Sequence, residues 1–196
     1  MSTFNDLCIK HGTDKGTTVR ECHGYSFAYE DLFNEKRNEK LKILEIGIAD
    51  PLFPGASLKV LTEYFSNSIV YGFDIVPCDF NIKRTKLFKG DTSSREGLVE
   101  VLGFDPEPFD IVIDDGSHIH EHHLLCFNEI FPRVSKGGLY IIEDLQAPGG
   151  EKTINYFYND SNTQALKNFG VARTELRCYN KLLAIIKNEK TVKKRN

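Results

Sequence analysis

Five short apolar runs recur along this chain, at residues 41–48, 69–74, 85–88, 111–113 and 139–142, and each leads into a carboxylate. Runs this short, rich in β-branched residues and without polar alternation, read as strands buried on both faces. Helical periodicity separates them. Leu58, Leu61, Tyr64 and Phe65 follow a helix start expected at Ser57, a second helix is expected over 94–102, and a third over 121–134. Strands alternating with helices in this way predict a doubly wound, mostly parallel α/β sheet. In such a sheet the parallel strands end on one edge, and ligands bind outside it.

At 196 residues, 40% apolar and 27% charged, the chain has the size and composition of one soluble domain. The expected divisions are a short helical N-terminal flap over 1–40, a core over 41–145, an insertion on the substrate side over 146–173 and an antiparallel edge hairpin over 174–188. The net charge of −3 argues against a grip on nucleic acid, and the basic residues of 187–195 read as a solvated tail. No apolar run approaches a membrane span, and residues 1–6 lack the basic start and apolar core of a signal peptide. Five cysteines, odd in number and without a CxxC pair, argue for reduced thiols and a cytoplasmic location.

The ligand edge would carry Glu45, Gly47, Asp74, Asp91, Asp114, Asp115, His118, Glu143 and Asp144. Gly47 would let a ligand approach the backbone, and Asp74, ending the second strand, lies where a carboxylate grips ribose hydroxyls. Position 49 is Ala and the next glycine is Gly55, so the GxGxxG of a diphosphate-binding turn is broken. A ligand with a ribose and no diphosphate fits better. With strands four and five adjacent at about 4.8 Å, Asp115, Glu143 and Asp144 either hold a hard divalent cation or are ordinary loop acids; the residues alone leave both open. An imidazole, with an ordinary pKa of about 6.5, makes His118 a candidate to take a hydroxyl proton near neutrality; a helix-entry histidine facing water is the alternative. The run 118–123 approximates the HxHxDH of zinc hydrolases, but His122 replaces its Asp and no histidine follows His123.

Together these residues resemble the class I S-adenosylmethionine-dependent methyltransferases. Within that class they are most similar to the metal-dependent O-methyltransferases of macrolide sugars, of the mycinamicin and macrocin type, and to related cephalosporin-tailoring enzymes. The resemblance is carried by Leu44-Glu45-Ile46-Gly47-Ile48, Gly55-Ala56-Ser57-Leu58, Tyr71-Gly72-Phe73-Asp74, Gly90-Asp91, Ile113-Asp114-Asp115-Gly116-Ser117-His118 and Gly137-Gly138-Leu139-Tyr140-Ile141-Ile142-Glu143-Asp144. Gly12-Thr13-Asp14-Lys15 and His23-Gly24-Tyr25 match the family's lead-in, so the likeness spans roughly 10–147.

The resemblance implies a Rossmann-like fold and S-adenosyl-L-methionine as cofactor. It further implies that Glu45 and Gly47 shape the methionine pocket, that Asp74 holds the ribose, and that Asp91 and its neighbours border the adenine; Asp114 is either a further cofactor-binding residue or only a holder of the turn. Asp115, Glu143 and Asp144 would hold Mg²⁺ or Mn²⁺, and His118 would be the general base. The acceptor implied is a hydroxyl of a sugar or glycosylated small molecule. An antibiotic nucleus, a phosphoryl-linked glycan group, or a module that binds the cofactor without catalysis are the rival readings. The larger macrolide enzymes carry an extra amino-terminal domain not found in this sequence, so the expected remaining pocket wall is a partner subunit of a homo-oligomer or the 156–168 region.

Overall fold

The computed structural model describes residues 1–17, 23–50, 53–103, 107–159, 174–179 and 181–187. Its strands are β1 (Lys42–Ile46), β2 (Ile69–Asp74), β3 (Thr85–Lys89), β4 (Phe109–Asp114), β5 (Val134–Ile142), β6 (Thr174–Tyr179) and β7 (Leu182–Lys187). They form one sheet in the order β3-β2-β1-β4-β5-β7-β6. β1 to β5 are mutually parallel, and β7 runs antiparallel to both β5 and β6. This is the expected Rossmann-like class I methyltransferase fold with its C-terminal hairpin; the turn residue Asn180 lies outside the described residues. From β1 the chain builds outward one way through β2 and β3, then returns to place β4 on the other side of β1. That reversal opens a crevice at the carboxyl ends of β1 and β4.

The helices are α1 (Phe4–His11), α2 (Ser26–Phe33), α3 (Ala56–Tyr64), α4 (Arg95–Gly103), α5 (His120–Ile130) and α6 (Gly150–Tyr158). Alternate residues of a strand face opposite sides, and the central strands divide accordingly. Ile43, Ile111, Ile113, Leu139 and Ile141 pack into one core with α1, α2 and α3. Leu44, Ile46, Val112, Tyr140 and Ile142 pack into the other, with α5.

Three local expectations change. The segment read as a flap supplies Phe4, Leu7, Tyr29 and Phe33 to the first core, all buried, so it is a built-in face of the domain. α3 starts one residue before Ser57, after Gly55 at φ +67°, which frees the Ser57 hydroxyl for Glu45. The helix expected over 121–134 gives way early, and the strand expected at 139–142 already begins at Val134, so residues 135–138 lie within β5. Pairing jumps from Phe109 with Val134 to Ile111 with Leu139, so this glycine-containing stretch bulges from a continuous strand. Within the region read as a substrate-side insertion, α6 buries Phe157 in the second core, while 160–173 lie outside the described residues.

Candidate functional site

The crevice is set by how closely two strand ends approach. Gly47 has φ +84°, and its N–H donates to Phe73 O at 2.8 Å. Asp115 N–H donates to Ile46 O at 3.0 Å, so the chain leaving β4 crosses the end of β1. A Cβ on Gly47 would stand 1.9 Å from the Asp115 carbonyl oxygen. The glycine read from sequence as room for a ligand is first of all room for this crossing. Two non-glycine residues of the edge, His118 at φ +58° and Asp144 at φ +55°, also hold left-handed backbone, and strain of this kind gathers at functional sites.

On one side of the crossing lies a cavity of about 330 Å³, bordered by Gly47, Asp74, Asp91, Gly116, Ser117 and His122 among others. Asp74 accepts from Ile48 N and Ala49 N through Oδ2, at 2.8 and 2.9 Å, and from Val76 N through Oδ1. It thus fixes the loop after β1 while still facing the cavity. Asp91 accepts from Ser93 N at 2.8 Å, and that backbone bond lowers its carboxyl below the usual range. Glu45 is buried, and its Oε2 accepts from the Ser57 hydroxyl at 2.9 Å. Among the described residues its Oε1 has no hydrogen-bond partner, and burial pushes the carboxyl up to about 7. Asp114 borders neither this cavity nor its neighbour. Strand alternation turns it to the opposite face, where it is buried 3.2 Å from His123 Nδ1 and accepts from the Tyr140 hydroxyl at 3.1 Å. Asp114 is a buried polar anchor between β4, β5 and α5.

A second cavity, of about 450 Å³, shares Gly47, Asp74 and Gly116 with the first and adds Asp14, Asp50, Asp115, His118 and Asp144. Asp115, His118 and Asp144 each offer a ligand atom within 4.8 Å of one another. His118 Nε2 stands 3.5 Å from Asp144 Oδ2, and among the described residues its buried Nδ1 has no partner. Two acids and an imidazole fit a divalent cation. Asp115 and Asp144 belong to the set expected from sequence. Glu143 is buried behind them, with Oε2 taking the Lys15 ammonium at 2.6 Å and Oε1 accepting from the Tyr29 hydroxyl.

The lead-in supplies the partners. Lys15 Nζ also donates to Asp115 Oδ2 at 2.6 Å and lies 3.8 Å from Glu45 Oε1. Burial alone would lower the ammonium's pKa, but Asp115, Glu143 and Glu45 outweigh it and raise it well above its ordinary value. Burial pushes Glu143 up to about 7 and raises Asp115. The Tyr25 hydroxyl donates to Asp144 Oδ1 at 2.6 Å, and His23 Nδ1 stands 2.8 Å from the same oxygen. Burial pushes Asp144 upward too, yet the bonds from His23 and Tyr25 win and hold it well below the carboxylate range. The bond to Asp144 raises His23 in turn.

Sequence reasoning gave no role to Lys15, His23, Tyr25 and Tyr29. The clue available was period-2 alternation. Glu45, Asp115 and Glu143 continue the strand faces of Ile43, Ile113 and Ile141, which places three acids on the side covered by α1 and α2. That face requires a cation from the lead-in, and its motif contains Lys15.

No protein-family model matches the chain. The 8-demethyl-8-alpha-L-rhamnosyl tetracenomycin-C 2'-O-methyltransferase of Streptomyces olivaceus is 37% identical over 147 residues, 71% of this chain and 37% of the relative. Demethylmacrocin O-methyltransferase of Streptomyces fradiae is 39% identical over 146 residues, 72% of this chain and 36% of the relative. The chain thus spans little more than a third of the length of these curated relatives. A solved structure of the MycE methyltransferase from the mycinamycin pathway, in complex with Mg, SAH and mycinamycin VI, superposes with a TM-score of 0.80 at 26% identity, covering 100% of this chain and 57% of that one. The TDP-rhamnose 3'-O-methyltransferase CalS11 matches with a TM-score of 0.59 at 15% identity, over 87% of this chain and 81% of that one, a likeness of fold alone.

Proposed function

We propose that this chain, a homologue of bacterial sugar O-methyltransferases built on the class I methyltransferase fold, methylates a hydroxyl of a sugar or glycosylated small molecule, using S-adenosyl-L-methionine and a divalent cation, Mg²⁺ or Mn²⁺. One observation carries the reading: a cavity of nucleoside size shares Gly47, Asp74 and Gly116 with a second cavity holding an acid and imidazole cluster. The wall at Gly47 and Gly116 suits the methionine end of the cofactor, with Glu45 buried against Ser57 and Lys15 rather than lining either cavity. Asp74 and Asp91 suit its nucleoside end.

The cofactor supplies an electrophilic methyl group when bound. The cation, held by Asp115, Glu143 and Asp144, would lower the pKa of an acceptor hydroxyl. The chain's own part is positioning and proton transfer. Gly47 lets the exit of β4 cross the end of β1, and Gly47 and Gly116 form part of the wall that the two cavities share. His118 borders the acceptor cavity and takes the hydroxyl proton as that oxygen attacks. Alignment of acceptor and donor at about 3 Å supplies much of the remaining acceleration.

The acceptor cavity is bordered by five aspartates, Asp14, Asp50, Asp74, Asp115 and Asp144, and by no lysine or arginine among the described residues. A neutral or amino-bearing glycoside fits that lining better than a phosphoryl-linked one. A non-catalytic binding module has no use for the strained His118 and Asp144. Calorimetry with S-adenosylhomocysteine tests the core of the proposal, and absence of binding up to millimolar concentration sinks it. Asp144→Ala should abolish metal-dependent methyl transfer to a glycoside panel while leaving that affinity within about threefold; turnover that survives both this change and chelator removes the metal role.

A further inference from the structure

An ammonium group occupies the middle of the carboxylate cluster. Lys15 is 3% exposed, and its Nζ lies 2.6 Å from both Asp115 Oδ2 and Glu143 Oε2. Tyr29 takes the other oxygen of Glu143. A divalent cation at Glu143 would need an oxygen that the ammonium or Tyr29 already holds, and at Asp115 it would meet the ammonium on Oδ2. A further buried oxygen stands near Nζ: Glu45 Oε1, at 3.8 Å, with no hydrogen-bond partner among the described residues. A small cavity of about 50 Å³, bordered by Asp14, Lys15, Ser57 and Asp115, lies alongside.

We infer that Lys15 is a built-in counter-cation that competes with the divalent ion for Asp115 and Glu143, and that metal loading shifts its ammonium toward Glu45. The inference rests on the metal reading above. Without a counter-charge, Glu45, Asp115 and Glu143 would be an uncompensated acidic face, costly in a low-dielectric site. Lys15 keeps that face folded until metal arrives. The lysine main chain is pinned, since its carbonyl accepts from Ser26 N at 2.9 Å, so the exchange needs only rotation of the flexible stem. Glu45 Oε1 then gains a partner while Asp115 and Glu143 are released to the metal. The result is a site held shut by an internal cation and opened by an external one.

Lys15→Met keeps the stem and removes the charge. Lys15→Gln, whose amide still donates to the carboxylates, covers the case in which the methionine variant does not fold. Titration calorimetry with Mn²⁺ alone, without cofactor or acceptor, should give a dissociation constant about tenfold lower in either variant than in the wild type. In chelator the variants should melt below the wild type, and Mn²⁺ should raise their melting temperature by more. Wild-type binding with equal or weaker Mn²⁺ affinity in both variants overturns the competition and leaves the metal reading standing. Absence of Mn²⁺ binding in all three proteins overturns the metal reading and this inference with it.

Discussion

A methyl group at position 47 would stand 1.9 Å from the Asp115 carbonyl oxygen and 2.6 Å from its carbonyl carbon, where ordinary contact begins at 3.4 Å. Both obstacles are backbone, locked by Asp115 N–H to Ile46 O and Glu143 N–H to Asp114 O, so neither side can rotate away. Gly47→Ala therefore forces β1 and the exit of β4 apart. Left-handed backbone at φ +84° costs a Cβ-bearing residue about 1–2 kcal/mol, and overpacking against a fixed neighbour adds about 1–3 kcal/mol. The sum, about 2–5 kcal/mol, corresponds to a fall of roughly 5–15 °C in melting temperature for a domain of this size. Differential scanning calorimetry reads the stability, and calorimetry with S-adenosylhomocysteine reads the site. Gly47 borders the cavities on both sides of the crossing, so cofactor affinity should fall by at least tenfold in protein that remains folded. A variant melting within 2 °C of wild type would refute the crossing as the constraint that holds the edge together.

The His23–Asp144 pair gives stability a pH dependence that is best read in chelator. Its bond to Asp144 raises His23, so that contribution is complete below the ordinary imidazole pKa of about 6.5 and is lost as pH rises through the raised folded value. Asp144 is depressed, so its contribution is present above about 3.9 and is lost only in strong acid. The melting temperature of wild type relative to His23→Ala should therefore fall as pH climbs from 6 to 9, and a pH-independent difference would contradict the pairing. Away from the site, the Arg84 guanidinium donates to Thr62 O, Phe65 O, Ser66 O and Ser68 O, satisfying the carbonyl end of α3. Arg84→Met should cost about 1–2 kcal/mol with S-adenosylhomocysteine affinity unchanged, and a cofactor-binding defect would show that α3 transmits strain into the cavity.

The parallel sheet was legible because short apolar runs without polar alternation, such as 69–73 and 111–113, alternate with helical periodicity, as in a sheet covered on both faces. The acids at the strand ends were legible for the same reason, since each interrupts an apolar run. Which way each acid points was harder. Asp114 and Asp115 are neighbours in sequence but alternate across the sheet, one reaching His123 and Tyr140, the other Lys15. The pairing of Lys15 with Asp115 bridges 100 positions and that with Glu143 bridges 128, and no local pattern encodes either. Burial nonetheless constrains it. Once β1, β4 and β5 place Glu45, Asp115 and Glu143 on one face, a low-dielectric interior demands positive charge there, and only the segment covering that face can supply it. A lysine among the hydroxyls and glycines of the lead-in is thus the consequence of three carboxylates sharing a side, and the same electrostatics make it the natural competitor of a metal.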